Sequence, residues 1–105
     1  MNGRLGKIEA GNASYATLYA APAGIAHAVA NVLVVNTNNV EAQITIAIAQ
    51  TTAPNTSDYV DFQYSLPPNG HLERSALVLS PGEIILVYAN MGGVVCRAHG
   101  FEKGA

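Results

Sequence analysis

Hydrophobic residues that alternate at a period of two, in short runs cut off by turn-forming residues, constrain this chain more than any other feature. In 42–50, Ile44, Ile46 and Ile48 share one side, and Gln43, Thr45, Ala47 and Ala49 the other. Successive side chains of a strand point to opposite faces of a sheet, so this pattern describes a strand with one buried face. β-Branched isoleucine also suits a pleated surface. The run 59–66 repeats the logic, with Val60, Phe62, Tyr64 and Leu66 set against Tyr59, Asp61, Gln63 and Ser65. In 83–89, Ile84, Leu86 and Tyr88 alternate with Ile85, Val87 and Ala89. Both sides of that run are apolar, as in a central or partner-covered strand.

The run 27–36 is long enough for a helix, but its valines and the Asn-rich stop after it favour a strand. The segment 14–30 is ambiguous: alanines support a helix by propensity, while Pro22 and Gly24 interrupt it. Turn residues punctuate the rest at 36–39, 54–58, 67–70, 80–82 and 90–93. Ser80-Pro81-Gly82 has a type II signature, with proline fixing φ at one position and glycine supplying positive φ at the next. Asn90-Met91-Gly92-Gly93 reads as a hairpin turn before a last strand over 94–101. Seven to eight strands at this spacing predict an all-β fold, a small antiparallel β-sandwich of jelly-roll or immunoglobulin-like type. The expected core contains Ile44, Ile46, Ile48, Phe62, Leu77, Leu79, Ile84 and Leu86.

At 105 residues the chain suits one domain, assigned to 13–105, with 1–12 as an N-terminal arm or an edge strand. Gly3, Gly6 and Gly11 loosen that segment, and Arg4, Leu5, Lys7 and Ile8 are its candidate partner-docking residues. Only 11% of the residues are charged, against about 25% in an ordinary soluble domain. Apolar surface that charge does not screen points to partners, here a homo-oligomer with a trimer as the expected form. The formal net charge is −2 and the five basic residues are scattered. The clustered positive footprint of a nucleic-acid binder is therefore not expected. A leader peptide and a membrane helix are not expected either, because no apolar stretch approaches ~20 residues.

The residue types that carry chemistry do not fall into motifs. His27, His71 and His99 lack metal-ligand spacing. Ser75 and Ser80 lie in no nucleophile elbow, Cys96 has no catalytic signature, and Asp58 and Asp61 are better read as a turn cap and a strand residue. A catalytic site, a cofactor and a metal are accordingly not expected. Glu73 and Arg74 are adjacent opposite charges inside one strand; neighbours there point apart, so each looks to a cross-strand or intersubunit partner.

Several segments taken together resemble a known group. They are Leu5-Gly6, Thr17-Leu18-Tyr19-Ala20-Ala21-Pro22-Ala23-Gly24, Val32-Leu33-Val34-Val35-Asn36 and Ser57-Asp58-Tyr59-Val60, with the stretch from Leu72 to Glu83 and the closing Arg97-Ala98-His99-Gly100-Phe101. In this order the chain resembles small β-sandwich virion proteins of tailed bacteriophages. The resemblance implies a non-enzymatic particle component, a capsid decoration (cement) protein bound to the major capsid protein, or a neck, tail or fibre protein. It also implies strands through 15–20 and from about 26, which resolves the ambiguous segment. A carbohydrate-binding module is the alternative of another class. Tyr15, Tyr19, Tyr59 and Tyr88 could serve it, although core packing competes for them and the chain has no tryptophan.

Overall fold

A computed structural model of the chain describes residues 2–10, 14–51 and 58–104. They form eight strands: β1 (Asn2–Ala10), β2 (Ser14–Ala20), β3 (Ile25–Asn36), β4 (Ala42–Ala49), β5 (Tyr59–Leu66), β6 (His71–Leu79), β7 (Ile84–Ala89) and β8 (Val94–Gly104). The pairing is nested. β4 pairs with β5, β3 with β6, β2 with β7 and β1 with β8, all antiparallel, as in one long hairpin whose tip lies between β4 and β5. That hairpin is rolled so that β3 also pairs with β8 and β4 with β7. The result is two four-stranded sheets, β1-β8-β3-β6 and β2-β7-β4-β5. Eight strands in this order make a jelly roll.

Period two explains the inner faces. β3 turns Ala28, Ala30, Val32 and Val34 inward, β8 Val94, Cys96 and Ala98, β4 Ala42, Ile44 and Ile46, and β7 Ile85, Val87 and Ala89. Small residues of the first sheet face the isoleucines of the second, so the two faces together fill the space at the density of a close-packed interior. The connection between β2 and β3 is joined to the turn before β7 by backbone bonds. Ala21 N–H donates to Glu83 O at 2.8 Å, and Gly82 N–H to Ala21 O at 3.0 Å. The turn at 80–83 has the expected form: Gly82 has φ 86° and Glu83 N–H closes onto Ser80 O at 3.0 Å.

Every edge strand is irregular. Register slips between Arg4 and Gly6 on β1, and between Thr17 and Tyr19 on β2. It slips twice on β5 and once on β6, opposite Asn31. Bulges twist a sheet edge away from further pairing, which guards against edge-to-edge association. Two of them place a non-glycine residue at positive φ, Gln63 at 50° and Ala76 at 58°. Each is held by the inner strand it faces. Gln63 N–H donates to Thr45 Oγ1 at 3.1 Å, and Ala76 N–H to Asn31 Oδ1 at 2.9 Å.

The bulges correct part of the expected core. Extra residues in β5 break its alternation at Val60 and Phe62, while Tyr64, still in register with Ile44, is exposed on this edge strand; of the four only Leu66 is buried, and Phe62 is 58% exposed. Leu77 and Ile48 are half-buried against the core. Leu86 is buried and Ile84 half-buried, but both belong to a second cluster with Ala47 and Ala49, distinct from the main core; the inward residues of β7 are Ile85 and Val87. The segment 90–93 is no hairpin. β7 and β8 lie in different sheets, so it crosses the sandwich.

Asn36 organises one end of the sandwich. It is fully buried, and its Nδ2 donates to the carbonyls of Val40, Leu66 and Pro67 at 2.9, 3.3 and 3.2 Å. Its Oδ1 accepts from Asn38 N–H and Asn38 Nδ2, both at 3.0 Å. Asn38 Nδ2 in turn reaches Gly92 O at 2.8 Å, so three connections meet at one buried amide. Gly93, at φ 78°, has no room for a Cβ, which would lie 2.8 Å from Asn38 Oδ1.

Candidate functional site

The outer faces of the two sheets differ in chemistry. On β1-β8-β3-β6, rows of register partners run across the strands. Val78, Val29, Phe101 and Asn2 form one row; Glu73, Leu33, Arg97 and Lys7 another; His71, Val35, Val95 and Glu9 a third. Val78 and Phe101 are 62% and 45% exposed. His27 pairs with Lys103, and Asn31 with His99. This face therefore carries two apolar patches, Val29 with Val78 and Phe101, and Leu33 with Val35 and Val95, separated by Asn31 and His99 and interspersed with Lys7, Arg97, His27 and Lys103, with Glu73 and Glu9 at register positions on the two edge strands. Arg97 Nε is buried and lacks a hydrogen-bond partner among the described residues.

The outer face of β2-β7-β4-β5 is aromatic. Tyr15 of β2 and Tyr59 of β5, from the two edges of the sheet, meet above it, the Tyr15 hydroxyl donating to that of Tyr59 at 3.3 Å. Beneath them Ala47, Ala49 and Leu86 are buried. Alanine on the central strand leaves the headroom that lets two tyrosines reach across. Burial, with the bond to Tyr59 second, pushes the Tyr15 hydroxyl up to about 12. Tyr15 also leans on Tyr88, ring centroids 5.3 Å apart and planes tilted by 51°, and Tyr59 packs on Phe62 at 4.7 Å. Beside these rings lies a cleft of about 160 Å³, lined by Tyr15, Tyr88 and Phe62 and by Gln43, Thr45, Gln63 and Asn90.

The residues singled out in the sequence are dispersed. Lys7 is exposed on the apolar-cationic face, whereas Ile8 turns the other way and packs against the core. Arg4 is in register with His99 within β1, and Leu5 is the extra residue of the β1 bulge; their side chains lie outside the described residues. Glu73 is exposed on the outer face, opposite Leu33. Arg74 has a partner in its own chain: Nη2 donates to Asp61 Oδ1 at 2.6 Å, joining edge strands β6 and β5 of the two sheets. That bond raises the Arg74 guanidinium above its ordinary value. Arg74 also lies 5.8 Å from the centre of the Tyr64 ring. Asp61 Oδ2 is buried with no partner among the described residues.

Tyr19 is a core residue, its hydroxyl bonded to Glu102; burial and then that bond raise it far above the ordinary tyrosine value. The same bond is the leading cause holding the Glu102 carboxyl below its usual range. Among the described residues no three His, Cys, Asp or Glu side chains converge as metal ligands would. Cys96 is a buried thiol of the core, outside any disulfide among the described residues. Sequence reasoning missed the Asp61–Arg74 bridge and the aromatic cleft, because both join strands that bulges re-aim. Comparison with protein-family models, curated proteins and solved structures gives no match.

Proposed function

We propose that this chain is a non-enzymatic structural protein of a tailed-phage particle, a decoration protein that docks on the outer surface of the capsid. The observation that carries the reading is the outer face of the β1-β8-β3-β6 sheet. Two apolar patches, Val29 with exposed Val78 and Phe101, and Leu33 with Val35 and Val95, lie on either side of Asn31 and His99 and amount to more than an isolated surface residue or two. Lys7, Arg97 and Lys103 lie among these patches, so the complementary surface is apolar with acidic groups placed to meet them. Jelly rolls serve in viral shells and in lectins alike, so the assignment rests on this face and on the sequence resemblance rather than on the fold. A homo-oligomer, with a trimer as the favoured form on the particle, belongs to the proposal, because several copies acting together convert a modest single contact into firm attachment.

Imaging of particles carrying the labelled chain tests the reading. A signal spread over the shell, lost when Lys7 and Arg97 are both changed to Glu, is the expected result. A signal confined to one vertex or to the tail would replace decoration with a neck, tail or fibre role. Attachment indifferent to the double charge reversal would remove the docking face.

A further inference from the structure

We propose that the cleft on the outer face of the β2-β7-β4-β5 sheet is a binding site for one ring of a neutral saccharide. The site lies on the other sheet from the proposed docking face and stands or falls separately from it.

The lining sets the ligand class. Three aromatic rings, Tyr15, Tyr88 and Phe62, supply apolar wall, and three primary amides, Gln43, Gln63 and Asn90, supply polar rim. A pyranose has the matching surface, a C–H face bounded by hydroxyl groups. A hydroxyl both donates and accepts, and so does a primary amide, which presents two donors and a carbonyl in one plane. No charged residue lines the cleft, so an ionic ligand would enter without a counter-charge. At about 160 Å³ the space is well below that of a site for a drug-sized molecule. It fits a single ring, with the remainder of a glycan left in solvent. The 51° tilt between Tyr15 and Tyr88 leaves no parallel-walled slot for a flat base.

The site is held in place before any ligand arrives. Tyr15 is tied to Tyr59, and Phe62 rests on the Tyr59 ring. Gln63 sits at the positive-φ position of the β5 bulge, with its backbone N–H fixed by Thr45. Asn90 binds the Gln43 backbone from both sides: its Oδ1 accepts from Gln43 N–H at 3.0 Å, and its own N–H donates to Gln43 O at 3.2 Å. That leaves the Asn90 Nδ2 and the side-chain amides of Gln43 and Gln63 uncommitted among the described residues. A bulge that spends backbone strain to turn an aromatic out to 58% exposure is costly for folding alone and suits a site that receives something. Order in the free protein lowers the entropy lost on binding.

The test is a two-dimensional amide NMR titration of the full chain with glucose, galactose and N-acetylglucosamine, and with sialic acid as the charged comparison. A neutral sugar should bind with Kd on the order of 1 mM, shifting the amides of Thr45, Gln63 and Asn90 together. Phe62→Ala should weaken it about tenfold, the upper end of what one aromatic contact contributes. Gln43→Ala should weaken it less. Both positions are exposed, so both variants should keep the parent circular-dichroism spectrum and remain folded at the titration temperature, Phe62→Ala losing only its contact with the Tyr59 ring. The proposal is overturned if none of the three neutral sugars shifts these amides, if sialic acid alone does, or if Phe62→Ala binds as the parent does. Absence of sugar binding combined with protection of the cleft amides on assembled particles would reassign this face to a protein contact.

Discussion

Replacing Asn36 by alanine should be among the most damaging polar substitutions in this protein. The amide is fully buried and its two N–H groups are shared among three carbonyls. The bond to Leu66 O is buried, and an orphaned buried acceptor costs about 1–3 kcal/mol. The bonds to Val40, Pro67 and Asn38 are partly buried. Water can re-satisfy some of them, so together they add about 1 kcal/mol. The sum is roughly 3 kcal/mol, a large share of the 5–15 kcal/mol that holds a typical domain together. In a chain of this size it corresponds to a fall in Tm of roughly 10–20 °C. Urea unfolding followed by far-ultraviolet circular dichroism should show a lower midpoint with an unchanged slope, since the surface exposed on unfolding is nearly the same. Asn38→Ala is the control. It leaves the Asn36 contacts to three carbonyls intact and should cost about 1 kcal/mol. If Asn36→Ala costs no more than Asn38→Ala, the buried amide is not the hub of the loops and the reasoning is refuted.

Ile46→Ala should cost about 2–5 kcal/mol in the same assay, because Ile46 is fully buried between the sheets; a loss under about 1 kcal/mol would show a collapsible site. A double-mutant cycle of Asp61→Asn and Arg74→Ala should give a coupling of about 1 kcal/mol in the monomeric protein, and zero coupling would mean that the bridge is not made within one chain. Ultraviolet titration should show Tyr15 and Tyr19 ionising late, with Tyr15 near 12. Raised folded-state values mean that their contribution to stability is intact below about pH 10, the unfolded value, and declines as pH rises through the folded ones. Ionisation of Tyr15 and Tyr19 near pH 10 would contradict the packed environments of these two.

The sequence by itself determined the all-β class, an approximate strand count, the turn at 80–83 and the inward face of β4. That strand has neighbours on both sides, so a period of two survives from Ala42 to Ile46. Deciding which face of β7 belongs to the core needed the tertiary structure, because both faces are apolar and only the packing of sheet on sheet separates Ile85 and Val87 from Leu86. The edges needed it too. Nothing local to Phe62-Gln63 announces a bulge, since the opposing strand defines which residue is extra, and the Thr45 hydroxyl that stabilises it lies 18 residues away. One inserted residue reverses the alternation that follows it. The same shift takes Phe62 out of the expected core and sets it beside Tyr15 and Tyr88, three rings that meet only because the rolled hairpin brings β2, β5 and β7 into one sheet.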